Sequence, residues 1–97
     1  MENIKIVWNE NNFGEIQLYS DDVKVGKMDV SIQDVGLVVY HTEVGEAYSG
    51  RGFAKLLLEK LVGLAREKGL KVVPLCPYVH AQFKRHPDDY QDVWSLS

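Results

Sequence analysis

An α/β domain is the fold class predicted by the sequence: an antiparallel meander of about four strands, a helix, a parallel strand that splays away, and a second helix. Three observations predict it. Apolar residues alternate at period two between turn clusters up to Val44. From Phe53 they follow a helical stripe instead. A short apolar run broken by Pro74 and Pro77 comes next. The 97 residues suit one domain, 1–97, with a single core.

The elements follow in order. Ile4 to Trp8 is short and β-prone, and Asn9-Glu10-Asn11-Asn12 is a turn cluster. Phe13 to Tyr19 carries alternating Ile16 and Leu18, and Ser20-Asp21-Asp22 turns the chain. Val23 to Ile32 alternates with one slip in phase near Gly26, as a bulge would produce. After a turn at Gln33-Asp34, Val35 to Val44 is the strongest strand. Its Leu37-Val38-Val39-Tyr40 run lacks alternation, which suggests burial on both faces. The helix from Phe53 has apolar positions at 53, 57, 58, 61, 62, 64 and 65, with Gly69 placed to cap its end. Leu70 to Pro77 is a short strand, and a helix between two strands implies that they run parallel. Proline cannot donate a ladder hydrogen bond, so this strand should part from Val35–Val44 near Cys76 and leave a wedge. Tyr78 to His86 reads as the second helix, ended by His86-Pro87-Asp88-Asp89. Asp92-Val93-Trp94 returns toward the core.

The junction from Glu43 to Ala54 carries the functional reading. A strand ends, Gly50-Arg51-Gly52 forms a loop, and a helix starts at Phe53 and Ala54. Bare amides at a helix N-terminus, with glycines allowing close approach, suit a phosphate or pyrophosphate. Arg51, and Lys55 one turn on, could add positive charge. The bland alternative is a tight turn before a solvated helix start.

Composition limits the alternatives. The hydrophobic and charged fractions, 45% and 26%, belong to a globular chain rather than a disordered one. A net charge of −3 gives no general reason to expect nucleic acid. Cys76 is the only cysteine, so no intrachain disulfide and no cysteine-based zinc cluster can form, and no metal is expected. No apolar run reaches the roughly 18 residues of a membrane span, so no membrane partner is expected. The opening residues do not resemble a secretion signal, and the expected compartment is the cytoplasm.

In this order of elements the chain resembles the GNAT superfamily of acetyl-CoA-dependent N-acetyltransferases. That superfamily's pyrophosphate loop is written [Gln/Arg]-x-x-Gly-x-[Gly/Ala]. Gly50-Arg51-Gly52 fits its end, while Ala47 stands at its first position. His41-Thr42-Glu43-Val44, Lys71 to Cys76, and Lys84-Arg85-His86-Pro87 resemble more closely a small GNAT-like subfamily of about this length. The resemblance implies acetyl-CoA as co-substrate and an amine as acceptor, either a small amine or a protein lysine or N-terminus. It implies backbone contacts from Thr42, Glu43 and Val44 to the pantetheine arm. It implies a cradle of Gly50, Arg51, Gly52, Phe53 and Ala54 for the pyrophosphate, and Lys84 and Arg85 near the nucleotide. Cys76 maps onto the subfamily's proposed catalytic cysteine. Full-size members carry extra helices that help shape the acceptor pocket, and this chain lacks room for them.

Two residues could carry chemistry, Cys76 and His41. A lone cysteine is often a buried small hydrophobe, but Cys76 stands at the mouth of the wedge and at a helix entrance, where a thiol's pKa falls. It could accept the acetyl group and pass it to the amine, or only line the site during direct attack. His41 could be a general base or a structural histidine, with Glu43, on the same strand face, as an alternative base. The rival functional readings are a CoA- or acyl-CoA-binding module without turnover and, with less behind it, a cysteine hydrolase.

Overall fold

The computed structural model describes residues 1–95. Strands β1 (Glu2–Trp8), β2 (Phe13–Ser20), β3 (Val23–Gln33), β4 (Gly36–Val44) and β5 (Lys71–Pro74) form one sheet in sequence order. The first three pairings are antiparallel and β4–β5 is parallel. A 3-10 turn (Glu46–Tyr48) and helix α1 (Phe53–Lys68) make the crossover. Helix α2 (Pro77–Arg85) and the short α3 (Pro87–Tyr90) follow β5. The expected meander, helix, parallel strand and second helix are all present.

The meander is set by turn chemistry. Asn12, Asp21, Asp22 and Asp34 all take positive φ, which short polar side chains tolerate. The Asn9 side-chain oxygen accepts the amides of Asn11 and Phe13 at 2.8 and 3.1 Å, fixing the first turn. Helix α1 buries Phe53, Leu57, Leu58, Leu61, Val62, Leu64 and Ala65. It ends where Gly69 turns left-handed and Leu70 N–H reaches the Ala65 carbonyl at 2.8 Å.

These helix residues join Ile16, Leu18, Met28, Val30, Leu37, Val39, Val79 and Phe83 in one buried cluster. The other face of the sheet carries Glu15, Gln17, Lys27, Asp29, His41 and Glu43, and none of these is buried. Burial of β4 on both faces is therefore corrected: Leu37 and Val39 are buried, but Val38 and Tyr40 only half so. Burial still alternates through residues 37–40, and the phase changes only after Val39. The register slips between Asp29 and Val30 of β3, leaving Tyr40 as an extra residue in β4. The slip expected near Gly26 is also present: Leu18 pairs with Gly26 and Tyr19 with Lys24, so Val25 is the extra residue.

Strand β5 is held on both edges. Beyond its pairing with β4, Val72 exchanges backbone bonds with Val93 and Ser95 at 2.6 and 2.9 Å, and Val93 is 2% exposed. The return of residues 92–94 to the core is thus as expected. The Arg66 guanidinium clasps this segment, donating to both Asp92 carboxylate oxygens (2.9 and 3.2 Å) and to the Asp89 carbonyl (2.8 Å). That guanidinium holds the Asp92 carboxyl below its ordinary pKa.

Candidate functional site

Strands β4 and β5 part at Val39, whose carbonyl accepts the amides of both Leu75 and Cys76, at 3.1 and 3.0 Å. The last paired residues are Val39 and Pro74. Beyond them β4 continues to Val44 with no neighbour on that edge. The splay expected from the prolines is therefore present, although Pro74 removes no donor from β4. Lys71 and Leu75 point their N–H groups to the β4 side, whereas Val72 points its N–H at Val93, so the nitrogen of Pro74 falls on the far edge.

The Tyr40 bulge decides what faces the opening. Gly45 N–H bonds to the Val25 carbonyl at 2.9 Å. In that register the pairs Lys27–Glu43 and Asp29–His41 also share backbone bonds with β3. The intervening Thr42 and Val44 then turn their amides and carbonyls toward the vacated edge. Of the expected Thr42, Glu43 and Val44, the first and last present free backbone to the wedge, while Glu43 spends its backbone on β3. Without the bulge, His41 and Glu43 would occupy the core face and Thr42 the charged one.

The glycine loop stands at the same end of β4. Gly50 and Gly52 have φ of 80° and 77°, a region costly for other residues. A Cβ at either position would meet no atom within 4 Å. The space over both glycines is therefore open, as a cradle for a bound anion needs. Gly52 is the N-cap of α1, and no side chain caps that end, so its first amides stay available. A cavity of about 260 Å³ lies here, lined by Val44, Tyr48, Ser49, Gly50, Gly52, Phe53, Ala54, Lys55 and Tyr78. It joins the end of β4, the loop, the start of α1 and the first turn of α2. Phe53 lines it while buried in the core. Burial raises the Tyr78 phenol above its ordinary pKa, so it stays protonated at neutral pH.

Cys76 is 2% exposed and is the N-cap residue of α2. Its sulfur does not cap the helix. It lies 3.2 Å from the Thr42 hydroxyl, across the mouth of the wedge. Two expected site residues, Thr42 and Cys76, are thus brought together. His41 is not brought to them. It lies on the opposite face of β4, exposed, with its Nε2 3.6 Å from Glu43. Lys84 and Arg85 stand exposed in the last turn of α2, outside the lining of the loop cavity.

Tyr48 carries no sequence signal, because it lies in a turn without periodicity. Its ring carries the Arg51 guanidinium 5.7 Å from its centroid. Larger cavities, about 540 and 400 Å³, lie along the ends of β3 and β4 and on the charged face. They lack the glycine cradle. Among the described residues no cluster of three or more His, Cys, Asp or Glu could hold a metal, and no helix is long and apolar enough to cross a membrane.

Comparison with known proteins places this geometry among relatives. A family model described as GCN5-related N-acetyl-transferase matches residues 15–93. Protein NATD1 of Homo sapiens is 38% identical over 63 residues, which is 65% of this chain and 50% of that protein. The chain therefore matches about half the length of this relative. The solution structure of a GCN5-like protein from Staphylococcus aureus superposes with a TM-score of 0.69 at 27% identity, covering 98% of this chain and 91% of that one. An aminoglycoside N-acetyltransferase in complex with CoA superposes with a TM-score of 0.57 at 20% identity, over 79% and 66% of the two chains.

Proposed function

The chain belongs to the GCN5-related N-acetyltransferase family, and from that membership we propose that it moves acetyl from acetyl-CoA to an amine in the wedge between β4 and β5. The observation that carries this reading is the meeting of two features at one end of β4. A strand edge with unpaired backbone at Thr42 and Val44 runs directly to a glycine cradle at Gly50 and Gly52. A pantetheine arm has amides that can pair with such an edge, and a diphosphate suits such a cradle.

The chemistry asks little of the protein beyond position. In direct transfer the neutral amine attacks the thioester carbonyl, the C–S bond breaks, CoA leaves as its thiol and the amine gives up a proton. In the covalent route Cys76 loses its proton and takes the acetyl group as the C–S bond to CoA breaks and CoA leaves protonated. The neutral amine then attacks acetyl-Cys76, the second C–S bond breaks, and the Cys76 sulfur leaves as thiol with the proton the amine gives up. The thiol beside the Thr42 hydroxyl supports a place for Cys76 at the reacting carbonyl. The exposed His41–Glu43 pair would serve only an amine approaching from the charged face. The exposed Lys84 and Arg85 would meet the ligand only where its nucleotide end reaches past the cavity. A reducing, cytoplasmic setting fits a lone thiol kept for such work.

Calorimetry with acetyl-CoA, followed by CoA release with a panel of amines, tests the function. Binding with release supports the transferase. Binding without release for any amine points to a CoA-binding module. No binding contradicts both. Radiolabel from acetyl-CoA, retained on intact protein and lost in Cys76→Ala, supports the covalent route. Equal retention in wild type and variant sinks it.

A further inference from the structure

The loop cradle receives no charge from Ala47, but Arg51, beside the cavity though outside its lining, has its guanidinium over a neighbouring ring. Arg51 lies between two glycines in left-handed conformations, is exposed, and has its guanidinium 5.7 Å from the centre of the Tyr48 ring. That is within the range of a cation–π contact. The ring itself is held from two sides. It packs over Gly45, where an added Cβ would come 3.1 Å from Tyr48 Cδ2. It also tilts against the buried Phe53 ring at 6.5 Å and 41°. Tyr48 further lines the 260 Å³ cavity together with Ser49, Gly50 and Gly52.

We propose that Tyr48 is a positioning residue that holds the Arg51 guanidinium at the rim of the cradle, so that the site selects its ligand by the phosphates. This rests on the acetyl-CoA reading above. An arginine on a glycine-flanked loop has many rotamers to lose when it binds an anion. Resting over an aromatic face reduces that loss beforehand. No hydrogen bond or ion pair to another described side chain takes the guanidinium N–H groups, and these groups match phosphate oxygens in pairs. The backbone amides of the loop supply the fixed part of the anion site, and the Tyr48–Arg51 pair supplies its charge. Tyr48 touches no reacting atom in this account and acts only through Arg51.

The test compares CoA with pantetheine, which lacks the phosphates, on wild type, Tyr48→Leu, Tyr48→Phe, Arg51→Gln and the Tyr48→Leu/Arg51→Gln double variant. Affinities come from calorimetry for CoA and from amide shifts at high concentration for pantetheine, and thermal unfolding checks each fold. Tyr48→Leu should weaken CoA by roughly two- to fivefold, the size of an exposed cation–π contact. It should leave pantetheine unchanged, and Tyr48→Phe should restore CoA binding. The double variant should be no weaker than Arg51→Gln alone. Equal losses for both ligands, additive losses in the double variant, or a folded Tyr48→Leu with wild-type CoA affinity would overturn the proposal. If wild type binds neither ligand, the acetyl-CoA reading itself has failed.

Discussion

At the scale of the residue, Val39 and Tyr40 do most to shape the wedge. The Val39 carbonyl takes the amides of Leu75 and Cys76, the two residues after β5, and ends the parallel pairing. Tyr40, one residue on, is the bulge that reverses the phase of β4. That reversal puts Thr42 beside Cys76 and leaves His41 on the charged face with Glu43. The two candidate chemical residues, Cys76 and His41, are therefore separated by the sheet. A direct prediction follows for the thiol. His41→Gln should leave the alkylation rate of Cys76 and its pH profile unchanged, as measured with a neutral thiol reagent. A marked slowing would mean that the imidazole reaches the sulfur. The sequence showed the parity of His41 and Glu43 correctly, since strand alternation alone gives it. It could not show which face they take. That depends on one unpaired residue in an apolar run, where a bulge and double-sided burial look alike. Tyr48 was hidden for a related reason: a ring in a turn has no period, and its value lies in touching Arg51.

At the scale of the element, α1 and β5 were readable because each announces itself by spacing. The apolar stripe from Phe53 to Ala65 matches the buried face of α1, and Gly69 ends it in the left-handed conformation. Pro74 and Pro77 mark the end of β5 and the first residue of α2. The close of the chain was less readable. Residues 92–94 were expected near the core, but the clasp that holds them comes from α1, through Arg66. That clasp has a pH signature. The Asp92 carboxyl has its pKa lowered chiefly by the hydrogen bond from Arg66. A group with a depressed folded-state pKa contributes stability above its unfolded pKa and loses it as pH falls through the folded one. Asp92→Asn should therefore lower the denaturant midpoint at neutral pH and have no effect in strong acid, where the wild-type carboxyl is also neutral. The loss should be small because the pair is exposed. An equal deficit at both pH values would place the effect in packing instead.

At the scale of the whole molecule, the helices and the sheet share one core on one side, and the other side of the sheet carries a charged row beside the stacked Phe13 and Tyr40 rings. The features proposed to hold the donor all gather where β4 runs out: free backbone at Thr42 and Val44, the cradle at Gly50 and Gly52, Tyr78 from α2, and the thiol of Cys76. The acceptor side was not legible in the sequence, because no motif or spacing in it marks a place for an amine. The backbone geometry of the proposed donor side was legible because a strand end, two glycines and two prolines each have a fixed backbone meaning. The central claim is that CoA lies along the open edge of β4 with its diphosphate in the glycine cradle. Titrating isotope-labelled protein with CoA and following the backbone amides tests it most directly. The account predicts saturable shifts at Thr42, Val44 and Gly50 to Ala54, with Tyr78 close behind and the charged row at Glu15 and Asp29 unmoved. Shifts confined to that charged face, or none at all, would contradict it.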